Sequence, residues 1–262
     1  GRALYLSMPS VGATENAMLA ACGCPGVTTI TGAAREPEIA DLQSFLRGMG
    51  AQVSGAGGSV IQIVGGRPLH PAEHWVVGDR IAAATYLCAA ASAGGTVELT
   101  GAEPGHLSAV LTCLEEAGCT VCGEPSRIVL SQSGPMRGIP PVRTAPYPGF
   151  PTDLQAQFMA VACVCHGTCI LSENVFENRF KHVPELCRMG ARIQIKERTA
   201  VVRGGAPLMG AEVAAKDLRG GAALVIAGLA AKGRTTVEGK CFIDRGYQDL
   251  AAELSALGAE IR

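Results

Sequence analysis

The chain has 262 residues, a formal net charge of -1, 17% charged residues and only 4% aromatic residues. This length allows one or two domains with a well-buried core, and we expect two. A near-neutral chain with few aromatic residues lacks the basic surface and the stacking platforms that nucleic acid requires. The most apolar run, residues 222–231, is far shorter than the ~20 residues of a membrane-spanning helix, so we expect a soluble, cytoplasmic protein.

The cysteines indicate a reducing compartment. Their number, eleven, is odd, and most lie inside apolar runs such as YLCAA and AVACVC rather than at the spaced loop positions of a disulfide framework. Three close pairs, Cys22/Cys24, Cys119/Cys122 and Cys163/Cys165, raise the alternative of a zinc-binding module. A structural zinc site needs four ligands on tight turns, and the histidines at 70, 74, 106, 166 and 182 lack metal-ligand spacing. We therefore predict small buried thiols, no metal and no cofactor.

The predicted elements recur four times along the chain. In chain order, small-residue helices that run into β-rich segments are NAMLAACGCPGVTTITGA, IAAATYLCAAASAGGTVELTGA, LQAQFMAVACVCHGTCILSE and LRGGAALVIAGLAAKGRTTVEG. Second helices followed by a strand are LQSFLRGMGAQV, LTCLEEAGCTV, PELCRMGARIQI and LAAELSALGAEI. Each copy predicts helix, strand, helix, strand, strand, at a spacing of roughly 65 to 75 residues. The glycines at 50, 118, 190 and 258 fit the left-handed position that ends a helix.

The composition of the helices predicts their layers. The Ala- and Gly-rich first helices can approach neighbours closely on several sides, so we expect them inside a ring of sheets, with the more polar second helices wetter on one face. The fourth copy ends at LGAEIR without a closing strand, and only one short apolar run, ALYLSMP, precedes the first helix. Two explanations remain open: another chain completes the sheet, or the chain is the C-terminal part of a longer protein.

Polar residues mark the starts of the first helices. PSVGAT, residues 9–14, would let an anion approach a helix N-terminus, but these six residues alone favour an ordinary capped helix start. The other copies begin with Asp79, Asp153 and Asp217, which suit N-caps or first-turn residues. Arginine beside two of them, as in Asp79-Arg80 and Asp217-Leu218-Arg219, opposes the helix dipole and points to an anionic ligand. The linkers NVFENRFKH and FIDRGY carry further charged residues. These residues could belong to a ligand site, and the alternative is that each linker is an ordinary solvated turn.

The longer motifs resemble a known family. SVGAT, AAREPEI, RTAPYPGFPTDLQAQF, VFENRFKHVPEL, DLR and IDRGY occur in the order seen in the UDP-N-acetylglucosamine 1-carboxyvinyltransferases, the enolpyruvyl transferases that begin peptidoglycan precursor synthesis. The resemblance runs from about Pro9 to the end of the chain. It implies an α/β (α+β) fold of the EPSP synthase type, an inside-out α/β barrel of βαβαββ units, of which four of six are present here. Residues 1–78 would then be the last unit of a first domain, and residues 79–262 a second domain.

The resemblance also implies site residues. Ser10, Val11 and Gly12 would bind the nucleotide diphosphate. Asp153 would orient the sugar 3-hydroxyl as a catalytic residue, Arg219 and Arg245 would clamp the phosphate of phosphoenolpyruvate, and Asp217 would lie near the proton transfer. The remaining substrate-binding residues implied by the family pattern are Glu36, Asp79, Val175 and Arg179.

The departures from the family pattern limit the expected activity. No segment matches the catalytic loop cysteine or the Lys-Asn pair of the family, and Met8, Ala82 and Tyr147 replace residues common in it. We therefore expect enolpyruvyl transfer from phosphoenolpyruvate to UDP-N-acetylglucosamine as the parent reaction, with this chain inactive alone. Its partners would be these two substrates, together with an N-terminal half or a second copy at an open sheet edge. The alternative is a non-catalytic homologue that binds nucleotide or a partner protein.

Overall fold

The computed structural model describes all 262 residues and divides them into two compact units. Unit 1 comprises Gly1–Val77 together with Pro146–Pro148, and unit 2 comprises Gly78–Ala145 together with Gly149–Arg262.

Unit 1 is a single four-stranded sheet covered by two helices. Its elements are β1 (Ala3–Tyr5), α1 (Val11–Gly23), β2 (Gly26–Thr31), α2 (Pro37–Gly48), β3 (Gln52–Ser54) and β4 (Val60–Gly65). The strand order is β1-β2-β4-β3, with β1 parallel to β2 and the other pairs antiparallel. This is the predicted βαβαββ unit in full, because the apolar run before the first helix supplies its opening strand.

One apolar face of the unit 1 sheet forms its core. Alternate residues of β2 and β4, including Ile30, Ile61 and Ile63, are fully buried, as the two-residue period of a strand requires. They pack with Met18 of α1 and Ile39 of α2 in one cluster. The alternation therefore fixes which side of the sheet the helices cover.

Unit 2 contains three further copies of the motif. Its elements in chain order are α3 (Arg80–Ala93), β5 (Gly95–Thr100), α4 (Ser108–Glu116), β6 (Thr120–Glu124), β7 (Arg127–Gln132), β8 (Val142–Arg143), α5 (Gln155–Val164), β9 (Gly167–Ser172), α6 (Val183–Arg188), β10 (Arg192–Lys196), β11 (Thr199–Gly204), β12 (Glu212–Ala214), α7 (Leu218–Ala230), β13 (Thr236–Glu238), α8 (Lys240–Ile243) and α9 (Leu250–Ala256). The strands form three sheets with the orders β5-β7-β6, β10-β11-β9-β8 and β12-β13.

The first helices of the three copies lie at the centre of unit 2. Helices α3, α5 and α7 pack against one another, while their sheets lie around them. Every residue from Gln155 to Cys163 of α5 is buried, which is the pattern of a helix enclosed on all sides. Small residues of α7 also allow close approach of neighbouring segments, since a Cβ at Gly220 would meet His182 and a Cβ at Gly221 would meet Ile243. The predicted inside-out arrangement of helices within sheets is therefore confirmed.

The second helices end in the predicted way. Gly50, Gly118, Gly190 and Gly258 all have positive φ, between +95° and +106°. In each case the amide of the residue after the glycine donates to a carbonyl five residues back, as Ala51 does to Leu46 and Ala191 to Leu186. This is the Schellman arrangement, which satisfies carbonyls that the helix end leaves unpaired.

Two expectations for the fourth copy were wrong. LGAEI was expected to end in a strand, but residues 257–262 form none, because no neighbouring strand hydrogen-bonds to them. Their backbone is satisfied locally instead, as in the bond from the Ile261 amide to the Ala259 carbonyl. The start of FIDRGY was expected to be a linker, yet Phe242 and Ile243 belong to α8.

The predicted burial of the thiols is wrong for part of them: Cys24, Cys122, Cys187 and Cys241 are exposed and Cys113 is half-buried. Cys24 follows the end of α1 and Cys122 lies on the exposed strand β6, so neither faces a core. Six of the cysteines are buried, and no group of three or more His, Cys, Asp or Glu side chains in the chain could hold a metal ion. No helix has both the length and the apolar character needed to cross a bilayer.

Candidate active site

The candidate site is a pocket in unit 2 with a volume of about 400 Å³. It lies where the chain enters α5 and α7 and where β9 connects to α6. Its lining residues are Asp153, Phe176, Glu177, Asn178, Arg179, Lys181, Asp217, Leu218 and Arg219. The repeat explains this location, because corresponding helix starts of successive copies carry the polar residues that were singled out from the sequence.

Two arginines converge on one carboxylate in this pocket. Arg179 Nη2 lies 3.0 Å from Asp153 Oδ1, and Arg219 Nε lies 3.4 Å from the same oxygen. Asp153 belongs to the first turn of a short 3-10 helix, Thr152–Leu154, that precedes α5, and its Oδ1 accepts hydrogen bonds from Arg179 and Arg219. The carboxylate is therefore held by the arginines of two other segments rather than by its own helix.

The arginines keep Asp153 ionised. Burial raises the pKa of the Asp153 carboxyl, but the charges and hydrogen bonds of Arg179 and Arg219 outweigh burial and hold that pKa below its usual value. Each guanidinium retains further N–H donors beyond those spent on Asp153. The arrangement can therefore accept a hydrogen bond from a hydroxyl at Asp153 and donate to an anion from the arginines.

Arg179 is fixed by two further contacts. Its Nη1 donates to Thr152 Oγ1 over 2.7 Å, and its guanidinium lies 4.6 Å from the centre of the Phe176 ring. The guanidinium of Arg179 is therefore constrained by a hydrogen bond and by a ring contact in addition to its ion pair with Asp153.

Arg219 rests on a buried hydrogen-bond network. Its Nη1 lies 3.4 Å from the hydroxyl of Tyr247, and its guanidinium is 5.9 Å from that ring. The Tyr247 hydroxyl is 2.9 Å from Thr85 Oγ1 on α3, and Gln157 Nε2 on α5 lies within 3.4 Å of both hydroxyl oxygens. Helices α3, α5 and α7 therefore all contribute to the position of the Arg219 guanidinium.

Asp217 and Asp79 are helix caps, as predicted. Asp217 Oδ1 accepts from the Gly220 amide over 2.7 Å, and Asp79 Oδ1 accepts from the amides of Ile81 and Ala82. His182 lies beneath this corner of the pocket with its Nε2 buried and unpartnered. Burial lowers the pKa of His182 to about 4, Asp217 opposes this change and Arg179 adds to it, so the imidazole is neutral at pH 7.

The remaining residues predicted in unit 2 stand apart from the pocket lining. Arg245 is exposed just after α8. Val175 is half-buried, and its amide donates to Glu173 Oε1 over 2.9 Å. Lys181 and Tyr247 had no predicted role, although they belong to the NVFENRFKH and FIDRGY motifs.

The residues predicted in unit 1 lie at its helix starts. Ser10 Oγ accepts from the Ala13 amide and caps α1, while a Cβ added to Gly12 would have no atom within 4 Å. Glu36 directly precedes α2, and its Oε2 is buried without a hydrogen-bond partner. The backbone amide of Ala34 donates to Thr14 Oγ1 of α1 over 3.0 Å, which ties the segment before Glu36 to the first helix.

Comparison with known proteins agrees with the motifs. The sequence profile of the family described as EPSP synthase (3-phosphoshikimate 1-carboxyvinyltransferase) matches residues 1–254. The chain is 49% identical over 261 residues to UDP-N-acetylglucosamine 1-carboxyvinyltransferase 2 of Caldanaerobacter subterraneus subsp. tengcongensis, covering 100% of this chain and 63% of the relative. It is 52% identical over 262 residues to UDP-N-acetylglucosamine 1-carboxyvinyltransferase 1 of Symbiobacterium thermophilum, covering 100% of this chain and 59% of the relative. The chain thus spans about 60% of the length of these relatives.

Solved structures share the fold. The enolpyruvyl transferase NikO from Streptomyces tendae superposes with a TM-score of 0.89 at 28% identity, over 100% of this chain and 65% of that one. EPSP synthase from Acinetobacter baumannii superposes with a TM-score of 0.75 at 21% identity, over 98% of this chain and 62% of that one. The expected resemblance and the expected fold are both confirmed, and the chain belongs to the EPSP synthase family of enolpyruvyl transferases.

Proposed function

We propose that this chain carries substrate-binding and catalytic residues for enolpyruvyl transfer from phosphoenolpyruvate to the 3-hydroxyl of UDP-N-acetylglucosamine, with release of phosphate, in peptidoglycan precursor synthesis. The observation that carries the proposal is the convergence of Arg179 and Arg219 on Asp153 in the unit 2 pocket. The names of relatives about half identical to this chain supply the substrate class. A cytoplasmic location is part of the proposal.

Asp153 acts on the sugar hydroxyl in this scheme. A carboxylate that arginines hold ionised is a strong hydrogen-bond acceptor and a weak base, so its principal task is to orient the hydroxyl toward the enolpyruvyl carbon. The hydroxyl oxygen then forms a bond to that carbon as its proton passes to the Asp153 carboxylate, while the methylene carbon takes up a proton from a donor in the region of Asp217 and becomes a methyl group. Loss of a proton from this methyl group and of phosphate restores the double bond in the product.

The cations act on the phosphate. Arg219 and Arg245 are assigned to the phosphate of phosphoenolpyruvate, because guanidinium groups match phosphate geometry and stabilise charge as it develops. Asp217 is assigned to the proton-transfer region near the methylene carbon. Arg179 remains with Asp153 as its orienting partner.

The nucleotide half of the substrate is assigned to helix starts and neighbouring loops. Ser10, Val11 and Gly12 are proposed to bind the diphosphate, since an exposed helix N-terminus with open space at Gly12 suits an anion. The further contacts to the UDP-sugar are assigned to Glu36, Asp79 and Val175. We also propose that residues 1–78 are the last repeat of one family domain and residues 79–262 the second domain, which the division after Val77 supports.

We further propose that these 262 residues do not turn over substrate unaided. Phosphate release should be measured with both substrates present, and binding of UDP-N-acetylglucosamine should be measured by calorimetry. We expect binding without turnover, and Asp153→Asn should weaken binding roughly tenfold because a charged hydrogen-bond acceptor is lost.

Glu124→Gln is the matched control for Asp153→Asn. It also removes a carboxylate that is paired with an arginine, Arg127, but on the exposed strand β6. Robust turnover by the chain alone would overturn the proposal that these 262 residues are inactive unaided. Absence of binding, or equal binding by both variants, would overturn the assignment of Asp153 to the substrate and favour a binding protein of another specificity.

A further inference from the structure

A buried carboxylate outside the pocket lining connects the segments that form the site. Glu173 follows β9 and is 1% exposed. Its Oε1 accepts from Thr144 Oγ1 and from the amides of Val175 and Phe176, each at 2.9 Å. Its Oε2 accepts from Thr152 Oγ1 at 2.8 Å. Nothing in the transfer chemistry above uses this side chain.

The burial of Glu173 requires an explanation. An ionised carboxylate that leaves water loses several kcal/mol of solvation unless hydrogen-bond donors replace the water. Here two hydroxyl and two amide donors surround it, so the cost is offset by short bonds to a charged acceptor. A core position that served packing alone would not need this set of donors.

The donors come from the segments that carry the site. Thr152 is the neighbour of Asp153, while Val175 and Phe176 lead the loop that continues to Arg179. Because Thr152 spends its hydroxyl proton on Glu173, its oxygen faces Arg179 Nη1 as an acceptor over 2.7 Å. Arg179 Nη2 then reaches Asp153 Oδ1 at 3.0 Å. The contacts form one continuous series from Glu173 through Thr152 and Arg179 to Asp153.

We propose that Glu173 is a positioning residue, which acts through Thr152 to hold the Arg179 guanidinium against Asp153. It sets the direction of the Thr152 hydroxyl, and it fixes the start of the 175–179 loop through two amide bonds. The positioning itself follows from these contacts. Only the claim that this positioning helps Asp153 to bind the sugar hydroxyl rests on the proposed function.

Glutamine is not a neutral replacement at this position. The oxygen that receives three donors must remain the amide carbonyl in Glu173→Gln, so the amide NH₂ faces Thr152. Thr152 Oγ1 would then meet two donors, the new NH₂ and Arg179, and its own proton would lose its acceptor. Thr152→Val removes the hydroxyl directly, while Thr152→Ser keeps it and serves as the conservative control.

A ligand-free titration tests the positioning. The side-chain carboxyl ¹³C signal of Asp153, assigned by its loss in Asp153→Asn, is followed through pH in the wild-type chain and in the three variants. We expect the Asp153 pKa to rise toward its ordinary value in Glu173→Gln and Thr152→Val, because Arg179 is released from the carboxylate, and to stay low in Thr152→Ser. Circular dichroism confirms that each variant is folded, and Thr152→Val keeps the test available should Glu173→Gln fail to fold.

The outcomes separate the two proposals. An unchanged Asp153 pKa in folded Thr152→Val overturns the positioning role, whatever the ligand data show. In parallel, binding of UDP-N-acetylglucosamine should fall roughly tenfold in Glu173→Gln and Thr152→Val and be retained in Thr152→Ser. If the wild-type chain does not bind this ligand while the Asp153 pKa responds as expected, the proposed function fails and the positioning role stands.

Discussion

The neutral buried histidine beside the pocket predicts a specific loss of stability in acid. His182 is 3% exposed, and burial lowers its pKa to about 4 from an ordinary 6.5. Between these values the unfolded chain binds a proton at His182 and the folded chain does not, so stability falls as the pH decreases through this window. The difference between the two pKa values of His182 corresponds to about 3 kcal/mol in the free energy of unfolding, at 1.36 kcal/mol per pKa unit. That is a large share of the roughly 5–15 kcal/mol of a typical domain.

His182→Leu isolates this contribution. The free energy of unfolding should be measured by urea denaturation from pH 7 to pH 4, followed by far-ultraviolet circular dichroism. The single tryptophan, Trp75, is an unsuitable probe because it lies in unit 1 and is 96% exposed. We expect the wild-type chain to lose about 3 kcal/mol more than the variant over this range, because the variant has no group to protonate at this position. Parallel pH profiles for the two proteins would refute the reasoning.

Two further predictions concern stability at neutral pH. Tyr247→Phe should lower the free energy of unfolding by about 1–3 kcal/mol, because it removes a buried hydroxyl that lies 2.9 Å from Thr85 Oγ1 and 3.4 Å from Arg219 Nη1; an unchanged urea midpoint would contradict the network. Gly12→Ala should leave the melting temperature unchanged or raise it, since its Cβ meets no atom within 4 Å and alanine favours a helix. Gly190→Ala should instead cost about 1–2 kcal/mol, since φ at Gly190 is +95°, and calorimetric melting of both variants checks the contrast.

The sequence predicted the repeated units and much of their local structure. Glycine has a unique advantage at positive φ, so Gly50 and its three equivalents identified the helix ends directly from their spacing. Asp79 and Asp217 were recognised as helix starts because the capping bond joins atoms only two or three residues apart. The strand expected at the end of the chain does not form, because a strand depends on a partner that is distant in sequence rather than on near neighbours. A strand needs a hydrogen-bonded neighbour, and residues 257–262 have none.

The site followed from local sequence only in part. The charged motifs containing Asp153, Arg179 and Arg219 were visible in the sequence, and the resemblance gave their roles. The role of Asp153 as the shared partner of both arginines was not visible, since Arg219 is 66 residues away along the chain. The sequence predicted Asp153 as an N-cap or first-turn residue, and it lies in the first turn, where its carboxylate pairs with two guanidinium groups.

By itself, the sequence determined the repeat, the glycine ends of its second helices and its layers, because these depend on periodicity and on bonds between near neighbours. The family followed from the resemblance of the longer motifs. Only the tertiary structure decided which side chains meet. It brought Thr152 and Arg179 into one series with Glu173, and it placed Tyr247 beneath Arg219. Such contacts join residues from separate copies or segments, and a buried polar group finds its partners only once the packed core excludes water.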